Sequence, residues 1–308
     1  MTQAWFLPAN LRKREERIRV MARASLPRML ATGCDFVKDV ALYYPLHVIM
    51  DVLGVPEADE PLILRLTQEV FGSNDDDFAP DDEDQGTVSL GPDGTFRRLN
   101  AYFSAIVDDR RQVGTDDLAT VLASARLGDA PVPDLELLSY FVTVATAGHD
   151  TTSSSTAGAM QQLAEDPALL ARVKADPSLI AGLVDEAIRW TTPVQHFMGT
   201  AVEDFELRGR AIRAGDWLML CYPSGNRSEQ VFEAPSSFRI DRSPNRHLGF
   251  GYGAHLCLGQ HLAKLEMRIL FEELLPHIST LELAGEPRRT EAVFVGGLKT
   301  LPIRFTTH

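Results

Sequence analysis

Apolar positions recur every three or four residues through most of this 308-residue chain, the period of a helix with one buried face. The spacing predicts a helix over NLRKREERIRVMARASLPRML, with positive charges crowded at its start. ALYYPLHVIMDVLGV follows and stops at the breakers Gly54 and Pro56, and EADEPLILRLTQEVFG adds another helix. Further on, TFRRLNAYFSAIVDDRRQ, DDLATVLASARLG and DPSLIAGLVDEAIRWTTP carry the same period. DLELLSYFVTVATAGHDTTSSSTAGAMQQLAED is expected as one long helix with Asp134 as N-cap after Pro133. At about 1.5 Å per residue it would run roughly 45 Å, the breadth of a domain.

Alternation with period two is confined to the C-terminal third. Phe205 to Leu220 predicts a small hairpin turning at Gly215-Asp216, and AVFVGGLKTLPIRFTTH predicts a second strand pair around Gly296-Gly297. Between the early helices and Thr95, the acidic, Gly- and Pro-containing stretch 72–94 has no periodicity and is expected as a mobile loop, most simply a solvated one, with a lid as the alternative. No internal repeat is present. The expected class is mainly α with a minor β component, in one domain spanning residues 1–308.

The net charge of −13 disfavours a protein that coats nucleic acid or an anionic membrane. Three widely spaced cysteines, Cys34, Cys221 and Cys257, make a disulfide framework improbable. No apolar run is long enough to cross a bilayer, and the first residues lack the apolar core of a signal peptide. These features lead us to expect a soluble, cytoplasmic protein.

HLGFGYGAHLCLGQHLAKLEM places Cys257 between a glycine-rich turn and an amphipathic helix. The thiol could be a buried structural group, a zinc ligand with His247, His255 or His261, or a thiolate ligand to haem iron. Zinc sites want four ligands at recognisable spacing. The glycines, by contrast, let backbone approach a flat ring, and amide groups at the helix start stabilise negative sulfur.

The run Phe250-x-x-Gly253-x-His255-x-Cys257-x-Gly259 closely resembles the haem-binding loop of the cytochrome P450 family. The resemblance implies haem b (iron protoporphyrin IX), with Cys257 as axial ligand to the iron, Phe250 shielding it, and Gly251, Gly253 and Gly259 admitting the porphyrin. His255 would reach a propionate. Ala147-Gly148-His149-Asp150-Thr151-Thr152 resembles the family's oxygen-activation motif. It implies that Ala147 and Gly148 leave room for dioxygen while Asp150 and Thr151 relay protons. Glu186 and Arg189, with Arg242 as third partner, match the family's structural ion-pair network. Thr143, Thr146, Val194, Phe294 and Val295 are the expected substrate contacts by position. The likeness runs nearly the whole length, and ALYYPLHVIMDVLGVPEADEP, TAGHDTTSSS, GAHLCLGQHLAKLEM and FEELLP point to the bacterial terpineol monooxygenase type.

The implied activity is insertion of one oxygen atom from dioxygen into a small apolar substrate, a terpenoid, by a monomer. Electrons would come from an iron–sulfur ferredoxin and its NAD(P)H-dependent reductase. Arg12, Lys13, Arg14, Arg17 and Arg19, with Lys264 and Arg268, are expected to form a positive docking patch for that ferredoxin, unless Glu15 and Glu16 neutralise it. Two departures bear on haem affinity. The family carries an N-terminal segment ahead of the point matched by AWFLPANLRKREERI, so a shortened member is expected. Gly199 also stands where an arginine usually pairs with a propionate, leaving His255 as the remaining partner. The rival expectation is a noncatalytic remnant that binds haem weakly or not at all.

Overall fold

The computed structural model of the chain describes residues 2–29, 33–71 and 94–307. The acidic stretch expected as a mobile loop lies outside the described residues, apart from Gly94.

Helices dominate, as their apolar periods predict. The N-terminal segment winds through short turns at Gln3–Phe6, Pro8–Leu11 and Arg12–Arg14 into the Glu15–Met29 helix. The Tyr43–Leu53 helix ends at Gly54, whose φ of 70° closes the last turn. Glu60–Phe71, Thr95–Gln112 and Leu118–Ala123 follow, the last capped by the Asp117 carboxylate accepting from Thr120 N at 2.8 Å. Phe103 and Phe141 stack at 5.2 Å where the Thr95–Gln112 helix meets the central helix.

That central helix departs from the expectation of one continuous rod. It is two helices, Asp134–Ala147 and Asp150–Glu165, broken at Gly148 and His149. Pro133, not Asp134, occupies the cap position, its extended backbone (φ −57°, ψ 145°) leading into Asp134 as first helical residue. The break lies where a second helix presses on the first. A Cβ at Gly148 would stand 2.6 Å from Ile49 Cγ1, so this residue lets the helix press onto Tyr43–Leu53. His149 then turns its ring back, and Nδ1 lies 3.0 Å from the Ala145 carbonyl.

The sheets are small and antiparallel. Pro302–Thr307 lies between Cys34–Asp35 and Ile278–Leu283, with Ile303 opposite both Cys34 and Leu283. Two expected hairpins are rearranged. Phe205–Leu207 pairs with Arg210–Ile212 across Arg208-Gly209, where both residues take positive φ (52° and 77°) as a tight hairpin turn demands. Gly215-Asp216 instead redirects the chain, so that Trp217–Cys221 pairs with His196–Thr200. In the tail, Leu298–Thr300 returns onto Arg288–Arg289, while the strand after it joins the three-stranded sheet.

The expected basic patch is largely consumed in holding helices together. Arg19 pairs with Glu272 and Glu273 at 2.7 Å each, and Arg268 pairs with Glu15 at 2.8 Å and Glu272 at 2.6 Å. Lys264 meets Asp185 at 2.7 Å, Arg14 meets Asp116 at 3.3 Å, and Arg17 pairs with Asp51. Glu15 pairs with Arg19 and Arg268, as the alternative expected, but most of the neutralising acids come from other elements rather than from Glu15 and Glu16. For Arg19 and Arg268 the reason is that the Glu15–Met29 and Gln260–Leu274 helices pack with acidic and basic side chains opposed.

Candidate functional site

The Cys257 loop is built by backbone hydrogen bonds. Cys257 N donates to Phe250 O at 2.9 Å, Gly251 N to Leu248 O at 2.9 Å, and Leu256 N to Gly253 O at 3.2 Å. Gly251 and Gly253 hold φ of 69° and 70°, a conformation that side chains with a Cβ resist. The loop is anchored from beneath by Asn226, which is fully buried. Its Oδ1 accepts from Leu248 N at 2.6 Å, and its Nδ2 donates to Thr192 Oγ1 at 2.8 Å.

Cys257 is open to solvent yet recessed among protein atoms. This desolvation pushes its thiol above the usual value, opposed by the amide groups of Gly259 and Gln260 that point at the sulfur. Beside it, Cβ atoms built at Gly253 and Gly259 would meet nothing within 4 Å, so the face of the loop is clear. Phe250 packs against the core, with Lys264 Nζ 5.5 Å from its ring centre. His255 lies exposed on a short turn, Gly253–His255. Among the described residues no three His, Cys, Asp or Glu side chains converge as a metal cluster, which removes support from the zinc reading.

On the central helix, Thr143, Ala147 and Thr151 follow one another at four-residue spacing, the first two exposed and Thr151 half-buried. The Thr143 hydroxyl donates to Ser139 O at 2.7 Å and that of Thr151 to Ala147 O at 3.0 Å. Thr146 differs from the expected substrate contacts beside it. It is 6% exposed, and its hydroxyl donates to Val142 O at 2.8 Å, because it sits where the helix turns toward the core. Gly148 and Asp150 are half-buried at the break.

Val194, Phe294 and Val295 are brought together: Val194 and Val295 form an antiparallel bridge, and Gln195 N donates to Phe294 O at 2.9 Å. Phe294 packs edge-on against Phe197 at 5.3 Å, and Phe197 against Tyr222 at 6.1 Å. A Cβ at Gly251 would stand 3.8 Å from the Tyr222 hydroxyl. An aromatic path therefore links the tail turn to the Cys257 loop. Sequence reasoning missed Phe197, Tyr222 and Asn226, which no periodicity marks. It also passed over Glu266, whose signal was legible: a glutamate four residues after Leu262 and three before Ile269, on the apolar face. Burial pushes its carboxyl well above the usual range, with Thr152 opposing.

Glu186, Arg189 and Arg242 form a closed network. Arg189 donates to both Glu186 oxygens at 2.8 and 2.7 Å, and Arg242 Nε donates to Oε1 at 3.0 Å. The remaining guanidinium donors go to the carbonyls of Asn226, Pro235, Ser237, Glu233 and Ala234.

The cytochrome P450 family model matches residues 100–302. This chain belongs to the cytochrome P450 family. Among curated relatives, Cytochrome P450-terp of Pseudomonas sp is 52% identical, covering 99% of this chain and 73% of its own length. A steroid C26-monooxygenase of Mycobacterium tuberculosis is 32% identical, covering 99% of this chain and 82% of its own length. Among solved structures, CYP108D1 from Novosphingobium aromaticivorans superposes with a TM-score of 0.89 at 48% identity, covering 100% of this chain and 72% of that one.

Members of the family are haem-thiolate proteins, so the cofactor is haem b and the activity class is monooxygenase. The residues present fit that group. The Cys257 thiol is accessible, a Cβ at Gly253 or Gly259 would meet nothing within 4 Å, and Leu256, Phe197 and Leu220 present apolar surface, 48%, 49% and 52% exposed. Among the described residues no helix is long and apolar enough to cross a membrane.

Proposed function

We propose that this chain is one catalytic domain of a cytoplasmic, monomeric monooxygenase that hydroxylates a small apolar substrate, a terpenoid. Electrons would come from an iron–sulfur ferredoxin reduced by an NAD(P)H-dependent reductase. The observation that carries the reading is the Cys257 loop: an accessible thiol with two amides directed at it, beside Gly253 and Gly259 where an added Cβ would meet nothing within 4 Å. The terpenoid class rests on the 52% identity to Cytochrome P450-terp.

When bound, haem supplies the activation of dioxygen. The chain's own residues do the rest. Cys257 would hold the iron, Phe250 would screen the sulfur, and His255 would meet a propionate. Thr151 and Asp150, at the rim of the helix break, would hold and pass protons, worth on the order of 10²–10⁴ in rate for a general acid–base group. Thr143, Val194, Phe294 and Val295 would exclude water and orient the apolar substrate, with Thr146 set behind them. Glu186, Arg189 and Arg242 would be structural, holding the chain that leads into the loop.

The test is a ferrous–CO spectrum of the purified protein followed by turnover of monoterpene alcohols with a supplied ferredoxin and reductase. A thiolate-type Soret band and a hydroxylated product are expected. Gly199 favours a second reading, weak haem retention, since no side chain is offered there to a propionate. An absent haem band would establish that reading instead.

A further inference from the structure

We propose that His149 is a positioning residue for Asp150: an imidazolium with both ring N–H groups engaged, clamping the Asp150 carboxylate at the helix break. The role given to Asp150 in turnover rests on the monooxygenase reading above; the protonation state of His149 does not.

The argument is one of donors and acceptors. His149 is fully buried. Its Nδ1 lies 3.0 Å from the Ala145 carbonyl, which can only accept, so Nδ1 carries a proton. Its Nε2 lies 3.1 Å from Asp150 Oδ1 and 3.2 Å from Thr67 Oγ1. The Thr67 hydroxyl already donates to Leu64 O at 3.0 Å, so toward the ring it too offers a lone pair. Two acceptors converge on Nε2. A neutral ring with a bare Nε2 would set three lone pairs against one another in a site without solvent, which is costly. A proton on Nε2 satisfies all of them.

Among the described residues, Asp150 supplies the charge that acts on the ring. The Glu60–Phe71 helix presents Thr67 to the ring, while its Glu69 turns to Arg65, Thr95 and Arg98. The Tyr43–Leu53 helix presents Ile49 at Gly148. Burial alone favours the neutral ring, but the Asp150 charge and the two hydrogen bonds outweigh it and raise the histidine pKa. The clamp has a mechanical consequence. The carbonyl of Ala145 and the side chain of Asp150 straddle the break, so one ring spans both helices and fixes the carboxylate next to Thr151. The Asp150 side chain stays 15% exposed, so a proton can still exchange there.

The test is nitrogen NMR of ¹⁵N-histidine-labelled protein as isolated, reduced under CO where it carries haem, with His149→Gln used to assign the signal. Both ring nitrogens should fall in the protonated range at neutral pH, and Asp150→Asn should return one of them to the bare range. A bare Nε2 in the parent overturns the proposal, whether or not the protein turns over. In turnover, His149→Gln should lower product formed per NAD(P)H on the order of tenfold, below the 10²–10⁴ of the acid–base group itself, while keeping the parent's thermal midpoint. His149→Phe should lose both. Parent-like product yield in folded His149→Gln also overturns it.

Discussion

Two polar constructions sit within a few residues of each other in space and are finished in opposite ways. Around Glu186, both carboxylate oxygens and the guanidinium nitrogens of Arg189 and Arg242 are met by the protein, through one another, the Asn245 side-chain amide nitrogen, the Arg239 amide and a ring of carbonyls. Around Cys257, the backbone is equally well ordered and two amides point at the sulfur, but the thiol is accessible, the loop face is clear of side chains at Gly253 and Gly259, and Leu256 is exposed. The first is a network complete in itself, as a buried charge must be. The second is the loop we propose as the seat of the haem. The two differ in what solvent can reach: the charged groups of the first are sealed by protein, while the thiol of the second stays accessible.

The comparison can be broken at either pole. Cys257→Ala should abolish the thiolate-type ferrous–CO band outright, while Cys34→Ala and Cys221→Ala leave it in place; a retained band in Cys257→Ala would falsify the assignment. Glu186→Ala strands two guanidinium groups and should cost about 3–5 kcal/mol of unfolding free energy in urea, the usual range for a broken buried pair. A loss below about 1 kcal/mol would mean the network is not a closed structural unit.

Smaller effects sharpen it. Gly199→Arg meets no obstruction, since a Cβ there would have nothing within 4 Å. It should raise haem affinity about fivefold, roughly 1 kcal/mol for a half-exposed charge-assisted pair; unchanged haem retention in a folded variant argues against propionate pairing as the limit. Arg268→Met removes surface pairs to Glu15 and Glu272 and should cost under about 1 kcal/mol by thermal melting. A larger loss would place the interhelical ion pairs with the Glu186 network rather than with the solvated surface.

Much of this was legible in the order of residues. Helix positions followed from apolar spacing, because a helix must bury one face whatever its neighbours are. The Cys257 loop was legible because its needs are local: glycines at positive φ, amide donors, and one sulfur, all within ten residues. Glu186 and Arg189 were legible because a spacing of three puts them on one face.

What required the tertiary structure were properties set by partners distant in sequence. The break at Gly148 is dictated by Ile49 pressing from another helix, and no period within the central helix announces it. The hairpin turn fell at Arg208-Gly209 rather than Gly215-Asp216 because Trp217–Cys221 found its partner in His196–Thr200. Arg19 of the basic segment is claimed by Glu272 and Glu273, more than two hundred residues away. The aromatic path from Phe294 through Phe197 to Tyr222 joins three separate segments. His149 reads as one more letter of a motif until Thr67 and Asp150 close on its Nε2. Local chemistry is written along the chain because covalent neighbours cannot separate; ion pairing, kinks and protonation are decided by through-space neighbours that only folding selects.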